Sequence, residues 1–368
     1  MPSTERLAAM ARLARWLGPW TPETRRPLGV DRRALRLGAD RPFDAWVYRP
    51  RRRPLGSLLV VPGLHYLGPA DPRLDRFLAI LADAGILVLA PFLPEFRRLR
   101  VGPSLASDAA TAFEALAALP ERPPGPPGVF SISFGSYPAL ELAGSARHRD
   151  RVGALVLFGG YASFEDAIRF SLEGDPERPH DPLNRPVVFL NLLEHLPDAP
   201  RDPEALRRAW ITYVRRTWGR APLKDRRRWE PIARRMARRL PEDARRLFLI
   251  GTGAEPGGAT LVARTLETAH AELSHLDPLP ACARVRCPVT IVHGRDDDVI
   301  PFTHAERLAA ALPPEVPTRV LLTGLYAHTH HGAPRPGELL EEARTLAGIL
   351  GAVVDAASAE VAPPSTEW

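Results

Sequence analysis

Short apolar runs alternate with helical stretches along much of this chain. Residues 43–48 alternate between apolar and polar positions, whereas residues 57–61, 86–90, 129–131 and 154–158 are almost continuously apolar. A strand that is buried on both faces has this continuous pattern, and strands separated by helices are typical of parallel sheets. The pattern therefore predicts a mostly parallel central sheet flanked by helices.

Helical spacing of apolar residues accompanies these runs. It occurs at 71–84 and 104–119, each before a predicted strand, and near the start of the chain, where we expect a helix docked on its own domain. The last third repeats the alternation, with predicted elements at 288–293 (strand), 303–312 (helix), 318–323 (strand) and 336–354 (helix).

The interval between the strand at 154–158 and the strand at 288–293 has a different pattern. Two amphipathic helices are predicted there, one from Leu206, Trp210, Val214 and Trp218 at spacing four and one from Trp229, Ile232, Met236 and Leu240. We interpret the interval as a helical cap and divide the chain into a first core part (1–160), the cap (161–286), a second core part (287–356) and a flexible tail (357–368).

Composition and charge narrow the class of protein. The chain has 368 residues, 45% hydrophobic and 25% charged, and no apolar run long enough to span a membrane. Arginines interrupt the N-terminal apolar residues, and the only cysteines, Cys282 and Cys287, have no neighbouring ligand pattern. We therefore expect a cytoplasmic protein without an integral membrane segment, a disulfide framework or a zinc site.

The net charge of +6 arises largely from one segment. Residues 207–246 carry fifteen basic residues, which could bind an anionic partner. The aromatic residues of this segment follow the apolar stripes and are not interleaved with the arginines as in nucleic-acid-binding surfaces. We interpret the arginines as solvated helix faces and expect no nucleic-acid partner.

One apolar run breaks into small residues around a serine. The sequence Gly-Val-Phe-Ser-Ile-Ser-Phe-Gly-Ser at 128–136 predicts a strand, a sharp turn that presents Ser133, and a helix at 136–147. The residues two before and two after such a serine must be small, because the strand and the helix pass close together. Ser131 and Gly135 meet that demand.

This passage resembles the nucleophile elbow of the α/β-hydrolase superfamily, with Ser131 in place of the first glycine of G-x-S-x-G. The resemblance covers most of residues 30–350 apart from the cap. It implies the α/β-hydrolase fold, a mostly parallel sheet with a mainly helical cap inserted after the sixth strand, and it implies serine hydrolase chemistry.

A nucleophilic serine needs a histidine to take its proton and a carboxylate to orient the histidine. The turn from Gly294 to Pro301 resembles the superfamily's G-x-x-D-x-x-[VI]-P turn, with Asp297 at the acid position. His328 follows the last strand, where the family's catalytic histidine stands. The resemblance thus implies a Ser133, Asp297 and His328 triad in the superfamily's chain order.

Neighbouring residues leave alternatives open. Asp296 and Asp298 flank Asp297 and would otherwise be solvated or cap a helix, and Glu165 or Asp166 could supply the acid instead.

His330 and His331 compete with His328 for the role of base. A cluster of histidines could also bind a metal, but the triad explains the same residues with fewer assumptions, so we expect no metal and no cofactor.

The resemblance also suggests how the substrate is held. The backbone N–H groups of Phe134 and Leu64 would form the oxyanion hole, with His65 as a competitor for the second position. His65 and Tyr66 could touch the substrate. The apolar stripes of the cap could do so through Trp210 and Trp218, or could serve only to dock the cap.

These observations predict a carboxylesterase-like serine hydrolase. It would cleave a small-molecule carboxylic ester, thioester or amide with an apolar acyl or alkyl part, through an acyl-enzyme on Ser133. An acyltransferase with the same triad is the alternative. A non-catalytic binding protein is disfavoured, because all three triad residues are present in the sequence.

Overall fold

An eight-stranded sheet forms the centre of the protein. The computed structural model describes residues 3–18, 21–175, 180–197, 199–200, 202–324 and 336–358, with the backbone alone at residue 3 and at 336–340. In chain order the strands are β1 (Asp31–Leu37), β2 (Phe43–Arg49), β3 (Gly56–Val61), β4 (Ile86–Pro91), β5 (Gly128–Ile132), β6 (Leu155–Phe158), β7 (Val289–Gly294) and β8 (Thr318–Thr323).

The strands lie in the order β1-β2-β4-β3-β5-β6-β7-β8. The strands from β3 to β8 pair in parallel, whereas β2 is antiparallel to both β1 and β4. This order and these directions define the α/β-hydrolase fold, which confirms the fold expected from the sequence.

Helices cover both faces of the sheet. The helices outside the interval between β6 and β7 are α1 (Ser3–Leu17), α2 (Pro72–Asp83), α3 (Pro94–Arg97), α4 (Ser104–Ala117), α5 (Ser136–Gly144), α13 (Thr303–Ala310) and α14 (Pro336–Ala357). Leu58 and Val60 of β3 pack in the apolar cluster that contains α1, α2 and α14, while Leu59 and Val61 pack in the cluster of α4 and α5. Both faces of β3 are therefore buried, which explains its uninterrupted apolar sequence.

The edge strand β1 was not predicted from the sequence. It pairs with β2 alone, and of its residues only Leu37 is buried. The guanidinium of Arg32 lies 3.9 Å from the ring centroid of Trp46 on β2. An edge strand that is exposed on most of its side chains can be rich in charge, so its pattern does not resemble that of a buried strand.

The residues between β6 and β7 (161–286) are called the helical insertion below. Its α-helices are α6 (Phe164–Glu173), α7 (Arg185–Leu192), α8 (Pro203–Thr217), α9 (Arg226–Ala237), α10 (Glu242–Thr252), α11 (Gly258–Leu273) and α12 (Leu279–Cys282). The two amphipathic helices predicted from the sequence correspond to α8 and α9. Whether the insertion acts as a cap stays a prediction. Of the predicted tail (357–368), Ala357 is the last residue of α14, and residues 359–368 lie outside the described residues.

Both cysteines, Cys282 and Cys287, are buried free thiols. Burial raises the pKa of each thiol to about 12, so neither is a thiolate at neutral pH. Among the described residues, no helix is both long and apolar enough to cross a bilayer.

Candidate active site

Ser133 lies at a sharp turn between a strand and a helix. Strand β5 ends at Ile132, a single 3₁₀ turn covers Ser133–Gly135, and α5 begins at Ser136. The φ angle of Ser133 is +52°, in the left-handed region that a side chain with a Cβ atom rarely adopts. Such a conformation costs about 1–3 kcal/mol and recurs at functional sites, where the surrounding structure holds it in place.

Gly135 shows why the residues around this turn are small. A methyl group added at Gly135 would lie 2.5 Å from the carbonyl oxygen of Pro62 and 2.9 Å from that of Val61. Ser131, two residues before the nucleophile, is fully buried and pairs with Val61 of β3. The turn is therefore pressed against the end of β3, and a larger side chain at Gly135 would displace backbone atoms.

The carboxyl ends of several parallel strands meet at the edge of the sheet where Ser133 lies. Phe158 at the end of β6 pairs with Ile132 and with Val292 of β7. A methyl group added at Gly63, in the loop after β3, would lie 3.5 Å from the Cβ of Ser133. The loops after β3, β5, β6 and β7 are therefore neighbours, as expected at the ligand-binding edge of such a sheet.

The two residues predicted to form the oxyanion hole lie beside the serine. Leu64, Ser133 and Phe134 line the same cavity. This arrangement is compatible with N–H groups from both loops facing one oxygen atom, and the donor roles of Phe134 and Leu64 stay predictions.

Asp297 is held by the backbone of its own turn. Its Oδ1 accepts hydrogen bonds from the N–H groups of Val299 (2.8 Å) and Ile300 (3.0 Å). Its Oδ2 lies 3.5 Å from Nε2 of the buried His293 and would lie 3.4 Å from a methyl group added at Gly159, directly after β6. The carboxylate is thus fixed in orientation at the edge where Ser133 lies, and its role as the acid stays a prediction.

The alternative acids occupy other environments. Glu165 forms an ion pair with Arg169, and Asp166 forms one with Arg307 of α13, so both are engaged at the start of α6. Neither lines the cavity that contains Ser133; Asp297 does not line it either, whereas Asp298 does. Asp296 is half-buried in the same turn as Asp297 and does not line the cavity either.

The three candidate histidines His328, His330 and His331 lie outside the described residues. Strand β8 ends at Thr323, and Gly324 is the last described residue before the histidines. The N–H of Gly324 donates to Oε2 of Glu342 on α14 at 3.2 Å. The N–H of Arg295, in the turn of Asp297, donates to the carbonyl of Thr323 at 2.9 Å. Strand β8 therefore ends directly beside the turn of Asp297.

Among the described residues, no cluster of three or more His, Cys, Asp or Glu side chains is arranged to hold a metal. His328, His330 and His331 are not part of that set.

A cavity of about 360 Å³ lies between the sheet edge and the helical insertion, with Ser133 in its wall. The insertion supplies more than half of the lining residues. Much of the wall is apolar or aromatic, including Phe134, Phe164, Ile168, Val187, Val188 and Trp218. Concave, mostly apolar cavities of this size are typical of sites for small molecules.

His65 and Trp218 join the two sides of the cavity. Their rings stack at 5.8 Å, and the indole N–H of Trp218 donates to the carbonyl of Leu183 at 2.9 Å. Nδ1 of His65 accepts the N–H of Leu67 at 3.2 Å, and burial lowers the pKa of His65, so its imidazole is neutral at pH 7. Tyr66 stacks on His65 at 4.5 Å but does not line the cavity.

The structure corrects the expectation that Trp210 contacts the substrate. Trp210 is fully buried inside the helical insertion, where its ring lies 5.7 Å from that of Phe189 and within 3 Å of a methyl group added at Gly251. Helix α8 ends at Thr217, and Trp218 has an extended backbone (φ −62°, ψ 148°). Because the helix ends between the two residues, they do not share one helical face. The ring of Trp210 is buried inside the insertion, whereas that of Trp218 lines the cavity.

A partly buried polar cluster in the cavity wall was not predicted. Nζ of Lys224 lies 2.6 Å from Oδ2 of Asp298 and 3.0 Å from Oδ2 of Asp181. Asp298 is only 7% exposed, so it is not the solvated residue expected from its neighbours in sequence. One sequence signal could have indicated this cluster, because Lys224 is the only lysine among 49 lysine and arginine residues.

The strand order, the elbow at Ser133 and the cavity above it together define a protein of the α/β-hydrolase fold. No protein-family model and no curated protein matches the chain. Among solved structures it is similar to an acylaminoacyl peptidase in complex with Z-Gly-Gly-Phe-chloromethyl ketone (TM-score 0.48, 13% identity), a puromycin-hydrolyzing peptidase of Mycobacterium tuberculosis (0.49, 18%) and a 2,6-dihydroxy-pseudo-oxynicotine hydrolase (0.48, 13%).

The three similarities differ in how much of each protein they cover. They extend over 84%, 92% and 92% of this chain and over 40%, 41% and 71% of those chains, respectively. The chain thus spans about two fifths of the length of the two peptidases. Similarities this distant do not identify a substrate, so the chemistry is argued below from the site itself.

Proposed function

We propose that this protein is a serine hydrolase that cleaves a carboxylic ester, thioester or amide through an acyl-enzyme on Ser133. The observation that carries the proposal is the backbone of Ser133, a non-glycine residue at φ +52° on a strand-to-helix turn that opens into a cavity. Holding a serine in this conformation is costly, and the reason to do so is to present its hydroxyl to a bound molecule.

In the proposed reaction, Oγ of Ser133 attacks the carbonyl carbon while His328 takes the hydroxyl proton. The carbonyl oxygen becomes an oxyanion, which accepts hydrogen bonds from the N–H groups of Phe134 and Leu64. When the tetrahedral intermediate collapses, His328 gives its proton to the leaving group. Water then attacks the acyl-enzyme by the same route and restores Ser133.

Asp297 is the proposed partner of His328. Two N–H groups hold Oδ1, so Oδ2, which lies 3.5 Å from Nε2 of His293, is the oxygen proposed to accept from the imidazole of His328. Gly324, the last described residue before His328, is four residues away from it, and four residues span at most about 14 Å. The proposal therefore needs His328 to reach Asp297 within that distance of Gly324, at the end of a strand that lies beside the turn of Asp297.

The proposed substrate is a small molecule with an apolar acyl or alkyl part, as in carboxylesterase-like enzymes. The apolar side chains around Ser133 support this class, because they remove the acyl chain from water without offering it hydrogen bonds.

Labelling with a fluorophosphonate probe tests the nucleophile. We expect the wild type to be labelled, Ser133→Ala to lose labelling, and the control Ser107→Ala, at an exposed serine of α4, to be labelled at the wild-type rate. Labelling that persists in Ser133→Ala would contradict the proposal.

Turnover of p-nitrophenyl esters of graded chain length, and of the matching p-nitroanilides, tests the substrate class. We expect ester turnover to increase with chain length until the cavity is filled. Faster cleavage of the anilides would redirect the proposal to amides, and transfer of the acyl group to an added alcohol at the expense of hydrolysis would favour an acyltransferase.

The identity of the base and of the acid needs matched variants. We expect His328→Gln and Asp297→Asn to lower kcat by orders of magnitude, whereas His330→Gln, His331→Gln and Asp296→Asn keep most of it. A reversal within either set would reassign that role to the neighbouring residue.

A further inference from the structure

Lys224 is chemically exceptional in this chain. All other members of the 49 lysine and arginine residues are arginine, including fourteen within residues 207–246. The single lysine ends a 3₁₀ turn (Ala221–Lys224) between α8 and α9 and lines the cavity that contains Ser133.

The ammonium group of Lys224 bridges two carboxylates from distant parts of the sequence. Asp181 belongs to the helical insertion, whereas Asp298 belongs to the turn after β7, and both contacts to Nζ are 3.0 Å or shorter. The side chains of Asp181 and Asp298 are only 17% and 9% exposed. Burial by itself would lower the pKa of Lys224, but the bonds to Asp298 and Asp181 outweigh it and raise the pKa, so Lys224 is charged.

The same two segments are also joined through the backbone. The N–H of Asp181 donates to the carbonyl of Asp298 at 3.0 Å. Asp298 directly follows Asp297 and precedes Val299, whose N–H holds the carboxylate of Asp297. The turn from Gly294 to Pro301, which contains Asp297, is called the acid turn below. The insertion therefore contacts the acid turn at Asp298, the residue directly after Asp297.

The geometry favours lysine over arginine at this position. An ammonium is compact and can point its three donors in different directions, whereas a guanidinium is a broader planar fork with donors in fixed directions. Without a cation between them, the buried carboxylate of Asp298 and the half-buried carboxylate of Asp181 would repel each other across the contact between the insertion and the acid turn.

We infer that Lys224 is a positioning residue, which clamps the acid turn to the helical insertion and so holds Asp297 in place for the base. This inference rests on the function proposed above. It assigns to the insertion a part in catalysis as well as in forming the cavity.

The test compares Lys224→Met with the wild type in fluorophosphonate labelling and ester hydrolysis. A displacement of about 1 Å at a catalytic group can cost about 100-fold, so we expect kcat and the labelling rate to fall about 10- to 100-fold, with a smaller change in KM. The negative charge of Asp297 raises the pKa of the catalytic imidazole, so its displacement should move the acidic limb of the kcat/KM profile to lower pH.

Two further variants distinguish a positioning role of Lys224 from a general loss of structure. Lys224→Arg keeps the charge and should recover part of the activity, and adding Asp298→Asn to Lys224→Met removes the repulsion and should recover part of the lost rate. These variants also keep the inference testable if Lys224→Met fails to fold.

Arg307→Met is the matched control. This variant breaks another ion pair between the core and the insertion, that of Arg307 with Asp166. Neither of these two residues lines the cavity. We expect its labelling rate to stay within about threefold of the wild type, because exposed ion pairs contribute little.

The outcomes distinguish this inference from the proposed function. If the wild type is labelled at Ser133 but Lys224→Met matches its rate and pH profile, the positioning role is wrong and the hydrolase proposal stands. If Arg307→Met and Lys224→Met lose activity equally without a shift in the pH profile, Lys224 is only structural. A wild type that is not labelled at Ser133 overturns both.

Discussion

The sheet core and the helical insertion are stabilised by different kinds of contact. In the core, parallel backbone ladders fix the strand ends, and the turn at Ser133 lies so close to the end of β3 that Gly135 has no room for a side chain. In the insertion, large side chains make the decisive contacts, with Trp210, Tyr213 and Phe248 fully buried between its helices.

This difference separates two parts of the function. Backbone contacts allow few substitutions, so the groups proposed to carry out the chemistry lie where geometry is most constrained. Side-chain contacts can be rearranged with less cost, so the walls of the cavity supplied by the insertion can vary in shape without moving Ser133.

Trp210→Ala is predicted to have the largest effect. It removes the largest fully buried side chain and leaves a cavity between α7, α8 and α10, which should lower the free energy of unfolding by about 4 kcal/mol. Urea unfolding followed by circular dichroism measures this. Trp210→Phe is the control and should lose less, because most of the ring volume is kept.

The same experiment tests whether the sheet core and the helical insertion unfold together or separately. A single transition that moves to lower urea would mean that the insertion and the sheet unfold together. A separate early transition, with the sheet unfolding at the wild-type urea concentration, would mean that the insertion is an independent unit.

Gly135→Ala is predicted to cost about 3 kcal/mol, because its methyl group would meet backbone oxygens that cannot move independently of β3. The control is Gly257→Ala in the insertion, at φ +104° with no atom within 4 Å of the new methyl group, where only the backbone strain of about 1 kcal/mol applies. Thermal unfolding compares the two. Equal losses would contradict the view that contacts at the elbow are the tighter ones.

His304 tests the junction between the two regions. It is buried on α13, its Nδ1 accepts the N–H of Ala162 at 2.9 Å, and burial lowers its pKa to about 4. Since the unfolded imidazole takes up a proton below pH 6.5 and the folded one does not, stability is retained above pH 6.5 and lost as the pH falls towards 4. The loss between pH 7 and pH 5 should be about 2 kcal/mol.

The control for this prediction is His304→Asn, whose side-chain oxygen can still accept the N–H of Ala162 but cannot take up a proton. The unfolding free energy of this variant is measured by urea denaturation at pH 7 and at pH 5. Between these two pH values it should fall by about 2 kcal/mol less than that of the wild type. An equal fall in both proteins would show that His304 does not carry the pH dependence.

Trp218→Leu is predicted to have the smallest effect on stability and to act on selectivity. The smaller side chain enlarges the cavity, so the ratio of kcat/KM for long over short p-nitrophenyl esters should rise about fivefold, or about 1 kcal/mol. Trp210→Phe, which leaves the cavity lining unchanged, should keep the wild-type ratio. An unchanged ratio in Trp218→Leu would place the acyl chain elsewhere.

Much of the sheet could be predicted from local pattern. Strands β3 and β4 are buried on both faces, so their apolar runs were unambiguous, and the predicted bounds of β8 agree with the structure. Strand β1 was missed because an edge strand has no such constraint on its side chains. The small residues around Ser133 were informative because close backbone packing restricts residue type directly.

The walls of the site were harder to predict. Spacing placed Trp210 and Trp218 on one helical stripe, yet the helix ends between them and only Trp218 reaches the cavity. Asp298 looked like a solvated neighbour of Asp297, because nothing in the local sequence shows that Lys224 and Asp181 converge on it.

The amino-acid sequence by itself indicated the buried strands, the turn at Ser133 and the three motifs of the candidate triad, since each of these patterns lies within a short segment of the chain. Only the tertiary structure decided which side chains form the cavity and that a single lysine bridges two carboxylates in its wall. Those contacts join residues 181, 224 and 298, and a contact between distant segments depends on how whole elements pack and not on any local pattern.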